Sequence, residues 1–259
     1  MKWNWFHPFH MVTCSPWPLL VSLNLLGGVL AVILFFNNWL FYLSFSSLSL
    51  AYIMMLWWRD VIRESTYQGA HTKEVVAGLQ LGMILFILSE VMFFFSFFFS
   101  WFFVMLNPDP SVGGLGLPSG VEPLNFMKVP LFNTILLLSS GVSVTWSHHC
   151  LIHGLSATNP LKITLFLGFT FLIFQLVEYH ESYFTMSDSV YGSLFYISTG
   201  FHGIHVFMGS LFLGVSLFRM NRNHFSPTHH IGYEASIWYW HFVDVVWLFL
   251  FVSIYWWGS

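Results

Sequence analysis

Long apolar segments fill most of the chain, and short stretches rich in polar residues, proline or glycine separate them. A helix rises about 1.5 Å per residue, so it needs about 20 mostly apolar residues to cross a hydrocarbon core roughly 30 Å thick. The segments that meet this requirement are 17–36, 39–57, 74–106, 129–152, 159–182, 191–219 and 234–257. The pattern predicts an all-α polytopic membrane protein with about seven transmembrane helices, in one membrane domain over residues 1–259.

The connections between these segments differ in length. Only Asn37 and Asn38 separate the first two segments, which predicts a tight turn between antiparallel helices. Proline and glycine mark the longest loop, after the third segment, at Pro108, Pro110, Gly113, Gly114, Gly116, Pro118, Gly120 and Pro123. The third segment is longer than the bilayer core is thick, so we expect it to tilt or to project beyond the membrane.

The composition excludes a single soluble domain. Hydrophobic residues make up 56% of the chain and charged residues 7%, whereas an ordinary soluble domain carries about 25% charged residues. The net charge of −3 is small and indicates no nucleic-acid partner. Cys14 and Cys150 form no paired spacing, so they indicate neither a disulfide framework nor a thiolate metal site.

The basic residues test the number of spans independently, because Lys and Arg collect on one side of a membrane. If seven spans alternate in direction, the N-terminal side receives Lys2, Arg59, Arg63, Lys73, Lys162, Arg219 and Arg222. Only Lys128 falls on the other side. This partition supports seven spans, with the N-terminus on the positive side and the C-terminus opposite.

Glu90 lies in the middle of the third span, where an ionisable side chain is energetically expensive and is a candidate functional group. A lone carboxylate at this depth should be protonated or hydrogen-bonded. Two interpretations stay open. Glu90 is either a proton-exchanging or lipid-responsive carboxyl group, or a neutral acid that hydrogen-bonds a neighbouring helix.

Two other pairs of ionisable residues have a spacing of three, which places each pair on one helix face. His241 and Asp244 lie in the seventh span, and we interpret them as a structural pair that bonds internally or to a partner helix. Glu178 and Glu181 lie near the far end of the fifth span. We interpret these two mainly as polar groups at the membrane interface.

The chain has 13 histidines, and neutral imidazole ligates haem iron, copper and zinc. Their spacing predicts no metal ligands, because adjacent His148 and His149 point about 100° apart on a regular helix. His202 and His205 share a helix face, but the sequence contains neither an HExxH nor a CxxCH motif. Interhelical hydrogen bonding is the preferred interpretation, and a haem or binuclear site with ligands from different helices stays open.

Basic residues and tryptophans lie together at the predicted positive face of the membrane. They occur in segment 57–64, with sequence WWRDVIRE, and again at Arg219, Arg222 and His224. Arginine beside tryptophan at headgroup level is suited to clamp the phosphate of an anionic lipid. The general tendency of Lys and Arg to lie on one side of a membrane explains the positions of these residues equally well.

Specific motifs give the chain a close resemblance to a known family over essentially its whole length. These motifs are SPWP at 15–18, WWRDVIRE at 57–64, GMILF at 82–86, SEV at 89–91, TWSHH at 145–149, GFHGIH at 200–205 and WYWHFVD at 238–244, with WWG at 256–258. They resemble subunit III of mitochondrial cytochrome c oxidase. Departures from the family pattern lie mainly in the first two spans, in the loop from Pro108 to Gly120 and around Phe97 to Phe103.

The resemblance implies a fold in which two N-terminal helices, within 1–58, splay from a five-helix bundle, within 74–259, with a linker over 59–73. It implies a subunit of the inner mitochondrial membrane, with its N-terminus in the matrix and its C-terminus in the intermembrane space. Haem and copper would lie on partner subunits, above all the catalytic subunit I. This chain would carry no metal, cofactor or catalytic site of its own.

The family's lipid-binding positions correspond to Trp58, Arg63, Glu64, His71, Arg219 and His224, with Arg222 a further basic contact. Glu90 corresponds to the family's membrane-buried carboxyl. The resemblance implies that the chain holds phospholipids, including anionic lipid, stabilises the catalytic subunit and helps to maintain proton uptake during oxygen reduction. The alternatives are a self-contained haem or copper membrane enzyme and a proton or solute transporter, although no internal repeat supports a transporter.

Overall fold

A computed structural model describes residues 8–37, 40–108, 117 and 120–258, except for the side chain of Leu40. Within these residues the chain forms helices α1 (Trp17–Phe35), α2 (Leu40–Thr66), α3 (Lys73–Leu106), α4 (Val129–Ile152), α5 (Thr158–Glu181), α6 (Val190–Asn221) and α7 (Ile231–Leu250), which continues as a π-helical turn (Phe251–Trp256). All seven are long and apolar enough to cross a membrane. The structure confirms an all-α protein with seven candidate spans.

Helix α2 continues further than its apolar pattern predicted. It ends at Thr66 rather than near residue 57, so the non-helical connection to α3 covers 67–72 instead of 59–73. Six of the eight residues at 59–66 are polar or charged, which ends the apolar pattern but not the helical hydrogen bonds. The chain leaves the helix near Gly69, whose φ of +64° is readily adopted only by glycine.

Several residues named in the sequence analysis lie outside the described part of the chain. They are Lys2, Asn38, Pro110, Gly113, Gly114, Gly116 and Pro118. The tight turn and most of the long loop are therefore expectations from the sequence alone.

The chain divides into two compact units, Met1–Leu79 and Gln80–Ser259, with the boundary inside α3. In the first unit α1 packs against α2. Two polar contacts join these helices: Asn24 Nδ2 donates to Ser49 Oγ at 2.8 Å, and Trp17 Nε1 donates to Asp60 Oδ2 at 2.9 Å. Interhelical hydrogen bonds of this kind hold helices together where lipid removes the hydrophobic driving force.

In the second unit, helices α4 to α7 pack around Trp240, which is fully buried. The indole lies against Gly168 of α5 and Gly209 of α6, where an added Cβ would come within 2.6 Å and 3.0 Å of ring atoms. Its Nε1 donates to Ser140 Oγ of α4 at 2.9 Å. Small residues thus admit one large side chain of α7 between three other helices, which is the packing expected in a membrane.

The part of α3 in the second unit packs against the other helices of that unit through aromatic side chains. Trp101 is 1% exposed, and its Nε1 donates to the carbonyl oxygen of Ser253 at 3.0 Å. Phe94 is also buried and packs near Phe242 of α7. These contacts place the middle of α3, including Glu90, beside α6 and α7.

Candidate functional site

Glu90 contacts a histidine of a neighbouring helix. Its Oε2 lies 2.8 Å from Nε2 of His205 on α6. The Nδ1 atom of the same ring lies 2.6 Å from the carbonyl oxygen of Phe201. The hydrogen-bonding partner expected for a carboxyl group at this depth is therefore His205.

The hydrogen-bond geometry requires a proton between Glu90 and His205. A carbonyl oxygen only accepts, so the contact to Phe201 fixes a hydrogen on Nδ1 of His205. The lone pair of Nε2 and a carboxylate oxygen would repel each other at 2.8 Å without a second proton. The pair therefore holds one exchangeable proton, as a carboxylic acid beside neutral imidazole or as a carboxylate beside imidazolium.

Aromatic rings pack around His205 in this pair. The His205 ring lies 4.9 Å from that of Phe94 and 6.3 Å from that of Tyr239, measured between centroids. The Glu90 side chain keeps 23% exposure, and that of His205 keeps 12%. The pair is therefore partly buried beside aromatic side chains.

An open apolar cleft of about 870 Å³ lies between the later half of α3 and the end of α7. Its lining is almost entirely aliphatic and aromatic, and includes Phe95, Phe98, Phe102, Val245, Phe249 and Trp257. Val91 and Phe94, next to Glu90 in the sequence, belong to the lining. The cleft has the shape and chemistry to hold hydrocarbon chains.

His241 and Asp244 lie on one face of α7 as predicted, but they are too far apart for a direct hydrogen bond. The distance from His241 Nδ1 to Asp244 Oδ2 is 3.9 Å. Both face α4, where His241 Nε2 lies 3.4 Å from Thr145 Oγ1 and Gly141 leaves room for the carboxyl group. Asp244 is 6% exposed, so this carboxyl group belongs to the α4–α7 contact.

The interpretation of Glu178 as an interface-level group is wrong. Glu178 is 2% exposed, and its Oε1 accepts a hydrogen bond from the Tyr255 hydroxyl at 2.5 Å. Gln175 Nε2 lies 3.4 Å from the same carboxyl oxygen and 3.4 Å from the Tyr255 hydroxyl. Glu181 is exposed as expected. The π-helical turn after α7 brings Tyr255 to this position, and the sequence carries no signal for that turn.

The histidines with helical spacing diverge to different partners. His202 is fully buried, and its Nε2 lies 3.2 Å from the Val243 carbonyl oxygen, whereas His205 faces Glu90. His149 is exposed, and His148 turns toward His230 at the start of α7. Interhelical hydrogen bonding, the interpretation preferred from the sequence, describes His202 and His205.

The lipid-binding candidates of the first unit surround the end of α2. The side chains of Trp58 and Arg63 are 55% and 58% exposed. Glu64 Oε2 lies 3.6 Å from His10 Nε2, and the His10 ring meets the His71 ring edge-on at 6.4 Å. Trp58 and Arg63 are therefore open for contacts outside the unit, whereas Glu64 and His71 hold the segment before α1.

The lipid-binding candidates of the second unit surround the end of α6. The Arg219 guanidinium lies 4.4 Å from the centre of the Phe225 ring, and that of Arg222 lies 5.4 Å from the Phe218 ring. Arg219 is half-buried and packs so closely on Gly232 that a Cβ there would come within 2.6 Å of its Nη1. The site residues from the sequence thus form two groups, one in each unit.

His224 contributes little positive charge to its group at neutral pH. Burial, and then the positive charges of Arg219 and Arg222, lower the pKa of His224 below its usual value of 6.5. The charge at this end of the second unit therefore comes from the two arginines.

Comparisons with known proteins agree with this geometry. A family model described as "Cytochrome c oxidase subunit III" matches residues 7–259. Proteins named cytochrome c oxidase subunit 3 from Lycodon semicarinatus, Prototheca wickerhamii and Sus scrofa are 53%, 52% and 52% identical to the chain, over 98% of each chain. The chain therefore belongs to the cytochrome c oxidase subunit III family, a non-catalytic subunit of the oxygen-reducing haem-copper oxidase that assembles with the other oxidase subunits.

Proposed function

We propose that this subunit binds anionic phospholipid at its basic helix ends and thereby stabilises the catalytic subunit in the inner mitochondrial membrane. The observation that carries the proposal is the environment of Arg219. Its guanidinium is half-buried, and no carboxylate among the described residues forms an ion pair with it. A partly buried cation needs a compensating anion, because desolvation of an unpaired charge is costly.

The hydrogen-bonding state of Arg219 supports an external anion. Its Nε is buried and has no hydrogen-bond partner among the described residues. One face of the guanidinium lies over the Phe225 ring, and its Nη1 lies close to Gly232. The N–H donors on Nη1 and Nη2 have the geometry to bind the oxygens of a phosphate.

Other surfaces fit the same function. Exposed Arg222 adds a second positive charge beside Arg219, and exposed Arg63 offers a contact from the first unit, although it also lies 3.8 Å from Asp60. Trp58, which is also exposed near the end of α2, has the amphipathic character of a headgroup-level residue. The apolar cleft between the later half of α3 and the end of α7 is a separate surface, at the opposite end of the bundle from Arg219, and it suits other hydrocarbon chains.

The lipid proposal predicts that Arg219→Gln lowers the amount of anionic phospholipid retained by the purified oxidase. The glutamine keeps polarity but removes the charge and the two-donor fork, so at least one bound lipid should be lost from each complex. Quantitative lipid mass spectrometry after detergent exchange measures this. Lys162→Gln is the matched control, because Lys162 is an exposed basic residue outside the proposed site. Full lipid retention in Arg219→Gln would contradict the proposal.

We propose that the N-terminus faces the matrix and the C-terminus the intermembrane space. The support is the charge asymmetry of the chain, since seven of eight basic residues fall on the N-terminal side when the spans alternate. On this orientation Arg219 and Arg222 lie at the matrix face.

We propose that the Glu90–His205 pair exchanges its proton and helps to maintain proton uptake by the complex. Glu90→Gln should lower turnover and the pumping ratio, because an amide keeps a hydrogen bond to His205 but does not exchange a proton at this position. Oxygen consumption and proton release by the complex in vesicles measure both quantities. Glu181→Gln, an exposed carboxyl group, is the control. Unchanged turnover and pumping in Glu90→Gln would leave Glu90 only its structural hydrogen bond.

A further inference from the structure

Three potential metal ligands converge where α4 ends and α7 begins. His148 Nε2 lies 3.2 Å from His230 Nε2, and His230 Nε2 lies 3.2 Å from Glu234 Oε1. All three atoms lie within 4.8 Å of one another. No local pattern in the sequence indicates this cluster, because His148 lies 82 positions before His230.

The tautomer of His230 leaves a lone pair pointing into this cluster. Its Nδ1 lies 3.0 Å from the Ser226 carbonyl oxygen, which only accepts, so Nδ1 carries the hydrogen. The Nε2 atom of neutral His230 then presents a lone pair toward a carboxylate oxygen and toward a second imidazole. Lone pairs brought this close repel one another unless a proton or a metal ion lies between them.

Two of the three separations between the ligand atoms are close to those expected around a tetrahedral metal ion. Two ligands at about 2.1 Å from zinc, separated by the tetrahedral angle, lie about 3.4 Å from each other. The two short separations in the cluster are both 3.2 Å. Two imidazoles and one carboxylate form a ligand set that zinc uses with a fourth, open position for water.

Neighbouring groups hold the ligands in place as in a metal site. The Ser226 carbonyl fixes the ring of His230, and Gln80 Nε2 donates to the other carboxyl oxygen of Glu234 at 3.2 Å. The Tyr233 ring meets the His148 ring edge-on, with centroids 6.0 Å apart. Such outer contacts orient ligands and raise metal affinity.

We propose that His148, His230 and Glu234 form a binding site for a divalent transition metal, with zinc as the best-matched ion. Imidazole ligands select zinc and its neighbours over magnesium or calcium. His230 is 6% exposed, while the Glu234 side chain keeps 23% exposure. An ion can therefore reach the open position from the Glu234 side. The proposal does not depend on lipid binding or on proton exchange at Glu90.

Zinc binding to the purified, chelator-treated oxidase complex tests the site. Equilibrium dialysis should show one zinc ion whose dissociation constant rises at least about 10-fold in His148→Gln and in Glu234→Gln, since loss of a ligand should cost at least as much as loss of an outer contact. His149→Gln is the matched control, because this exposed neighbour lies outside the cluster. It should bind zinc as the unaltered complex does.

A structural measurement on the unaltered complex covers the case in which a variant fails to assemble. Anomalous scattering at the zinc absorption edge should show a peak between the two imidazoles and the Glu234 carboxyl group. Absence of that peak at saturating zinc would overturn the proposal and would leave the cluster as a proton-sharing network. Equal zinc affinity in the variants and in His149→Gln would overturn it as well.

Discussion

Replacing Trp240 with alanine should destabilise the helical bundle of the second unit by about 3–5 kcal/mol, the usual cost of emptying a large aromatic site. The indole fills the space between Gly168 and Gly209 and bonds to Ser140, so its loss weakens contacts of α7 with three helices together. Lipid cannot fill the closed interior. The measurement is the temperature at which the subunit is released from the purified oxidase, which should fall by several degrees.

Two variants make this prediction specific. Trp146→Ala is the matched control, since Trp146 is 55% exposed and its removal opens no interior cavity. Gly168→Ala should also lower the release temperature, because its new methyl group would lie 2.6 Å from the Trp240 ring. An unchanged release temperature in Trp240→Ala would show that the bundle does not depend on this packing.

Replacing Tyr255 with phenylalanine should cost about 1.5–3 kcal/mol, the range for a buried hydrogen bond to a charged or acidic group. The Tyr255 hydroxyl donates to Glu178 at 2.5 Å, and after its removal Gln175 is the nearest described donor, at 3.4 Å. The Glu178 carboxyl group then stays buried, and its Oε1 has lost its short hydrogen bond. The loss of stability is measured as a fall in the temperature at which the subunit is released from the purified oxidase.

The control for this prediction is Tyr183→Phe, because Tyr183 is 85% exposed. A double variant, Tyr255→Phe with Glu178→Leu, isolates the pairwise interaction. If the two groups stabilise each other, the double variant should lose less stability than the sum of the single variants. Strict additivity would mean that the two groups act independently.

Family membership decides between the functions that the sequence left open. The match covers residues 7–259 and includes relatives about half identical to the chain. It assigns the chain to a non-catalytic oxidase subunit rather than to a self-contained haem or copper enzyme or a transporter. The motifs that carried the resemblance, such as those at 200–205 and 238–244, lie in α6 and α7, which form the buried core around Trp240.

The positions of the spans could be predicted closely because they depend on one local property. The apolar segments at 129–152 and 159–182 became α4 (Val129–Ile152) and α5 (Thr158–Glu181) almost unchanged. The end of α2 could not be predicted in this way. Its last turns are charged, and polarity marks where a helix leaves the hydrocarbon, not where its backbone hydrogen bonds stop.

The sequence by itself determined the helices, their number, the position of Glu90 in the middle of the third span and the basic residues at the helix ends. These features depend on polarity along the chain, because spanning segments must be apolar and Lys and Arg collect at one surface of the membrane. Only the tertiary structure decided which polar groups meet: Glu90 with His205, Glu178 with Tyr255, and His148 with His230. These pairs join residues 77 to 115 positions apart, and their distances depend on helix rotation and packing, which no local pattern records.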